Sequence, residues 1–276
     1  ISALLKSVGI SASEKEAELI VCFTLKTNKT SLYRDNPEIT EDLYQEIITR
    51  RLMREPLQYI ISEVEFLDLT LNVGPGVLIP RPETELVTTE TIRILKENFT
   101  EPLTILDLCT GCGPISISLA EAFPNSLVYG VDISEKALSY ARENALINAV
   151  DNVIFLHGNL FEPVGNTKFN AVVSNPPYIK TSDISGLDPE ICCYEPVEAL
   201  DGGADGLRFY RKILQLAKNH MFTGRKTLIV LEIGYDEAAD IQKIAADAGY
   251  KNIRFKKDYA GLDRMVIIQD WSFTQY

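Results

Sequence analysis

Histidine, cysteine and positive charge are all scarce in this chain. Two histidines, His157 and His220, and five cysteines, Cys22, Cys109, Cys112, Cys192 and Cys193, are the only imidazole and thiol metal ligands in 276 residues. Tetrahedral zinc takes four ligands, and a single C-x-x-C at Cys109 and Cys112 with no second pair does not supply them. No metal is expected, and packing in a glycine turn is the simpler reading of that pair. An odd cysteine count at irregular spacing also argues against a disulfide framework. Reduced thiols and a cytoplasmic setting follow. No apolar run approaches the roughly 18 residues of a membrane span, so no membrane association is expected. The first residues lack the basic flank and apolar stretch of a signal peptide. Lysine and arginine number 27 against 39 acidic residues, a formal charge of -12. Nonspecific nucleic-acid affinity comes mainly from neutralising phosphates, so stable nucleic-acid binding is not expected, and a basic protein partner suits this charge better.

Hydrophobic residues make up 46% of the chain, enough for a sizeable core. Its length fits one large domain and a small one. Residues 1–62 read as a helical domain. Ser13 and Glu16 form a capping-box pattern ahead of Ala17, Leu19, Ile20, Phe23 and Leu25. A further helix is expected from about Thr40, with Leu43, Ile47, Ile48 and Leu52 at helical spacing, stopped before Pro56. Residues 63–79 read as a β-hairpin linker: Val64, Phe66, Leu69, Leu71, Val73 and Val77 suggest short strands around a Gly74-Pro75-Gly76 turn. Two prolines in the stretch Ile79 to Glu85 favour an extended approach to the next helix. From residue 80 to 276 strands alternate with helices. Strands are expected at Thr104 to Leu108, Leu127 to Val131, Val153 to Leu156, Phe169 to Ser174, Thr227 to Leu231 and Arg264 to Gln269. Helices are expected at Ser116 to Ala122, Glu135 to Leu146 and Ala238 to Ala248. That alternation implies an α/β fold, a mostly parallel, doubly wound sheet with helices on both faces.

Three strand ends carry chemistry. The first strand runs into Asp107-Leu108-Cys109-Thr110-Gly111-Cys112-Gly113. A glycine-rich turn between strand and helix lets a ligand approach the backbone. The dinucleotide pattern fails at its third position, which is Ser116, and no Gly-Lys-Ser or Gly-Lys-Thr follows, so a ligand without phosphates fits better; a plain tight turn is the bland alternative. The second strand ends at Asp132, placed to accept from both hydroxyls of an unphosphorylated ribose, with Ser134 free to cap the next helix. The fourth ends in Asn175-Pro176-Pro177-Tyr178. An amide nitrogen is a poor nucleophile because its lone pair is delocalised. Two acceptors for its N–H groups, the Asn175 side-chain oxygen and the Pro176 carbonyl held by fixed backbone, would orient it and stabilise the growing positive charge. Tyr178 offers an aromatic face to a planar amide.

Together these segments resemble class I S-adenosylmethionine methyltransferases acting on planar nitrogens. The stretch IPRPETE at Ile79 to Glu85 is similar to the HemK/PrmC family of peptide-chain release factor glutamine methyltransferases. So are Pro56-Leu57-Gln58-Tyr59-Ile60, Glu195-Pro196 with the following DGGADGL up to Leu207, Glu232-Ile233-Gly234, and Gly261-Leu262-Asp263-Arg264. The resemblance covers nearly the whole chain and is weakest over the first fifty residues.

The resemblance implies a Rossmann-like fold and S-adenosylmethionine as cofactor, held by Asp107, Cys109, Thr110, Gly111, Cys112, Gly113, Asp132, Ile133 and Asn175. Asn159, Leu160 and Phe161 would lie near the adenine. Asn159 stands where the family usually has an acidic residue; it keeps an acceptor and loses the charge. The implied substrate is the glutamine of the Gly-Gly-Gln loop of class I peptide chain release factors. Asn175, Pro176, Pro177 and Tyr178 would contact it with Arg81 and Glu83, and Asn175, Pro176 and Tyr178 would be catalytic. The enzyme is expected to be monomeric. An adenine-N6 methyltransferase of nucleic acid, a ribosomal-protein glutamine methyltransferase and a catalytically silent nucleoside-binding adaptor remain alternatives.

Overall fold

A computed structural model describes residues 1–270. The first 61 residues form helices α1 (Ser2–Ser7), α2 (Ser13–Thr24), α3 (Lys29–Asp35), α4 (Glu41–Leu52) and α5 (Leu57–Ile61). Their small core is Leu5, Ile10, Ile20, Ile48 and Leu57. The second expected helix starts as read, and the expected capping box at Ser13 and Glu16 is not formed. Thr40 stands at the N-cap of α4, but Ala12 occupies that of α2. Ser13 lies inside α2 and is buried, so it cannot serve as the flanking cap.

Strands β1 (Glu63–Phe66) and β2 (Leu69–Asn72) pair antiparallel, Phe66 opposite Leu69. The turn is therefore at Leu67 and Asp68, not at Gly74-Pro75-Gly76, and Leu67 adopts a left-handed φ of 51° there. The glycines follow β2 instead. The hairpin buries Phe66, Leu69 and Leu71 against Ile117 and Ala145. Helix α6 (Pro82–Asn98) starts inside the IPRPETE stretch, so only its first residues are extended. Proline suits the first helical position because its missing N–H has no partner to lose there, and Glu83 and Glu85 favour the helix N-terminus.

The remaining elements are β3 (Thr104–Leu108), α7 (Pro114–Ala122), β4 (Leu127–Asp132), α8 (Glu135–Ile147), β5 (Val153–His157), β6 (Ala171–Ser174), β7 (Ile179–Lys180), α9 (Pro189–Cys192), β8 (Asp201–Gly203), α10 (Arg208–Ala217), β9 (Thr227–Glu232), α11 (Ala238–Asp247), β10 (Ile253–Lys257) and β11 (Asp263–Asp270). Seven strands form one sheet in the order β10-β11-β9-β6-β3-β4-β5. The five from β9 to β5 are parallel, and β11 and β10 close the edge antiparallel. Alternate residues of a strand face opposite sides. Leu106 and Leu108 thus join the core under α10 and α11, and Ile105 joins the core under α6 and α7. Both sides are covered, as a near-continuous apolar strand such as Thr227–Glu232 requires. The chain order reverses across β3, and a cleft opens at the carboxyl ends of β3, β4 and β6, the place where open sheets hold ligands.

Candidate active site

Asp107 anchors the glycine loop. Its Oδ2 accepts from the hydroxyls of Thr110 (2.6 Å) and Ser116 (2.7 Å) and from the Ser116 N–H (3.1 Å). The carboxyl is fully buried and, among the described residues, Oδ1 has no partner. Burial pushes its pKa up to about 7 against those hydrogen bonds. Gly113 caps α7 at φ 88°, where a Cβ would sit 3.0 Å from Ile117 and 3.3 Å from Ala141. Only glycine meets both demands there. Asn144 of α8, fully buried, ties the loop to the hairpin. It donates to the Cys112 carbonyl (2.9 Å) and accepts from the Asn72 N–H (2.7 Å).

Asp132 ends β4. Oδ2 accepts the Gly111 N–H at 2.8 Å and Oδ1 the Ser134 N–H at 2.9 Å, while the Ser134 hydroxyl caps α8. Each carboxylate oxygen keeps a second lone pair toward the cleft. Beyond β5, Asn159 donates to Glu162 (3.2 Å), which leaves its Oδ1 as an acceptor, and Leu160 is buried at φ 52°.

After β6, Asn175 is half-buried and donates through Nδ2 to the Thr84 hydroxyl (3.1 Å). Among the described residues no donor reaches the Pro176 carbonyl. The glycine run behind this segment has a steric reason. A Cβ on Gly202 would lie 2.7 Å from the Tyr178 Cα, and one on Gly206 2.6 Å from the Tyr178 carbonyl oxygen. Arg81 pairs with Glu195 at 2.5 Å. Burial raises the Glu195 pKa, opposed by Arg81, and among the described residues its Oε2 has no hydrogen-bond partner.

One cleft of about 720 Å³ collects these groups. Its wall includes Arg81, Thr84, the loop from Cys109 to Cys112, Asp132, Ile133, Asn159, Leu160, Asn175 and Pro177. Its apolar share, with Val131 and Ile115, and its carboxylate and amide acceptors fit a nucleoside bound without phosphates.

Relatives match nearly the full chain in sequence. A release factor glutamine methyltransferase of Thermodesulfovibrio yellowstonii is 46% identical over 258 residues, 92% of this chain and 92% of its own length. The chain belongs to the release factor glutamine methyltransferase family. A second member, from Fusobacterium nucleatum, is 39% identical over 270 residues, 95% of this chain and 75% of its own length. The family models for the PrmC N-terminal domain and the methyltransferase small domain match residues 1–61 and 89–187. Among solved structures, a methyltransferase from Pyrococcus furiosus has a TM-score of 0.54 at 20% identity, covering 82% of this chain and 96% of that one. A T. thermophilus 16S rRNA methyltransferase in complex with AdoMet and guanosine has a TM-score of 0.55 at 14% identity, covering 75% of this chain and 49% of that one. Both likenesses concern the fold. As in the family, the cofactor is S-adenosylmethionine.

Several residues expected in the site stand elsewhere. Asp107 and Gly113 lie behind the loop and shape it without lining the cleft. Phe161 is buried in the core, stacked on His220 with centroids 4.7 Å apart. Pro176 is buried and is not itself part of the wall, but its carbonyl, which no donor among the described residues reaches, lies in the chain between the wall residues Asn175 and Pro177. Tyr178 turns its hydroxyl to Glu232 (3.4 Å), and Glu83 also lies off the wall. All five cysteines are unpaired. Burial pushes the Cys112 thiol up to about 12 and also raises that of Cys109, so both stay protonated packing groups. Among the described residues no group of three or more His, Cys, Asp or Glu could hold a metal ion. The roles of Thr84, Asn144 and Glu232 are not signalled in the sequence. The first and last stood in quoted motifs, IPRPETE and Glu232-Ile233-Gly234, but nothing paired them.

Proposed function

We propose that this chain methylates the side-chain amide nitrogen of the glutamine in the Gly-Gly-Gln loop of class I peptide chain release factors. One observation carries the reading: Asn175, its Nδ2 engaged by Thr84, lines the same cleft as Asp132 and leaves Oδ1 as an acceptor. Cys109 to Cys112, Asp132, Ile133, Asn159 and Leu160 would hold the cofactor. Bound S-adenosylmethionine supplies an electrophilic methyl carbon whose sulfonium leaves as a neutral thioether.

The chain's own residues act on the nucleophile. Oδ1 of Asn175 and the carbonyl oxygen of Pro176 accept the two N–H groups of the substrate amide and fix its plane. As the nitrogen lone pair forms the new N–C bond, positive charge develops on nitrogen, and both acceptors bind it more tightly than the neutral amide. Interactions that strengthen in the transition state raise turnover. The methylated nitrogen is strongly acidic and its proton leaves late, so no general base is required. A glutamine must reach down to the sheet edge to meet Asn175, which favours small flanking residues such as glycine. The net charge of -12 suits a basic, ribosome-binding partner; with such a substrate the enzyme would work in the cytoplasm.

The test is mass-spectrometric mapping of a purified release factor after incubation with enzyme and cofactor. One methyl group on the loop glutamine is expected. Methylation elsewhere, or preferential methylation of duplex DNA offered in parallel, overturns the reading.

A further inference from the structure

The amide of Asn175 is symmetric in outline, and nitrogen and oxygen differ little in size. Rotated by half a turn, the same side chain would present N–H groups to the cleft. A donor there would repel the N–H groups of a substrate amide. Something has to set which end points inward.

The end of β9 supplies it. Glu232 is 1% exposed, and its Oε2 accepts the Thr84 hydroxyl at 2.7 Å. Thr84 is 3% exposed and sits in the first turn of α6, over the same sheet edge. An ionised carboxylate can only accept. The single hydroxyl proton of Thr84 is therefore spent on Glu232, and the Thr84 oxygen can only accept from Asn175, as it does at 3.1 Å. Nδ2 is held on Thr84 and Oδ1 is left over.

We infer that Thr84 and Glu232 are positioning residues which fix the Asn175 amide with its oxygen toward the substrate nitrogen. The inference rests on the glutamine-methylation reading. Other groups face Glu232 from every element around it. The Tyr178 hydroxyl donates to Oε1, and the Tyr210 hydroxyl of α10 donates to its backbone carbonyl. The Arg264 guanidinium of β11 favours the ionised form, and Glu83 of α6 opposes it. Burial is the largest influence and pushes the carboxyl up to about 7. A protonated Glu232 can donate to Thr84, which then turns its own proton toward Asn175 and reverses the order. Turnover should accordingly fall as pH drops through about 7.

The experiment compares wild type with Thr84→Val and Thr84→Ser in label transfer to a release factor at saturating cofactor. Thr84→Val keeps the shape and removes the hydroxyl. Its kcat should fall about tenfold or more, with cofactor Kd unchanged by calorimetry. Thr84→Ser should stay within about threefold of wild type, since one hydroxyl does the work. The wild-type acidic limb near pH 7 should be retained in Thr84→Ser and lost in Thr84→Val, where Glu232 no longer reaches Asn175. Near-normal kcat in Thr84→Val overturns the inference. So does loss of cofactor affinity in step with turnover, which would mean that Thr84 only holds the fold. No label in the release factor with wild-type enzyme refutes the substrate reading itself, and the inference with it.

Discussion

Arg54 of the helical domain grips Glu190 of α9 through two parallel bonds, Nε to Oε1 at 2.6 Å and Nη2 to Oε2 at 2.5 Å. Arg51 adds a third at 2.8 Å to Oε1 and also holds Glu16 of α2. The pairs join the first 61 residues to the segment that follows the Asn175 tetrad. Burial would raise the Glu190 pKa, but Arg54 and Arg51 win and hold it low. Arg51 is only 3% exposed, so removal of its partner leaves a buried charge less well compensated.

Glu190→Ala should therefore destabilise the protein by about 2 kcal/mol, less than the ~3–5 kcal/mol of a fully buried pair because Glu190 keeps some solvent contact. Denaturant unfolding measures it. A midpoint unchanged from wild type would show that the two parts are held by other contacts.

Asp132→Ala removes the acceptor for the Gly111 and Ser134 N–H groups together with the proposed ribose contact. Cofactor affinity should fall about tenfold or more, since hydrogen bonds to charged groups are worth roughly 1.5–3 kcal/mol each. Calorimetry showing wild-type affinity would remove Asp132 from the site.

Three buried carboxyls, Asp107, Glu232 and Glu237, are each pushed up to about 7, in each case chiefly by burial. Their ordinary values lie near 4, so the folded state binds protons more tightly than the unfolded one. The sign follows from linkage: the contribution of these three groups to stability is greatest below about 4, falls as pH rises from about 4 to about 7, and is level above. Thermal unfolding should give a higher Tm at pH 6 than at pH 8, with a smaller difference in Asp107→Asn. A higher Tm at pH 8 in the wild type would contradict these environments.

The sequence made the strand ends legible because their signals are local. Gly111 and Gly113 mark a tight turn, Asp132 follows an apolar run, and Ser134 caps α8 as read. The hairpin turn was misplaced because Gly74-Pro75-Gly76 punctuates more strongly than Leu67-Asp68, and a leucine at positive φ gives no warning. The strand β10 escaped because only Ile253 and Phe255 alternate with Arg254 and Lys256 in a short edge segment. The Thr84–Glu232 contact spans 148 residues and exists only because β9 pairs with β6 beneath the start of α6. Neither residue carries that pairing in its own neighbourhood. Phe161 and Tyr178 were read as pocket residues because motif position gives the chain location of a side chain and not its direction.

In the proposed mechanism Asn175 orients a primary amide for methyl transfer. Single-turnover transfer of labelled methyl from saturating cofactor to a release factor tests it most directly, in wild type and Asn175→Ala, with a release factor carrying Glu for the loop glutamine as control. Wild type should label the glutamine protein and leave the control blank. Asn175→Ala should bind cofactor normally and transfer about a hundredfold more slowly or worse, by analogy with the loss of one preorganised transition-state contact. Equal labelling of both release factors, or an Asn175→Ala rate close to wild type, would show that Asn175 does not orient a glutamine amide.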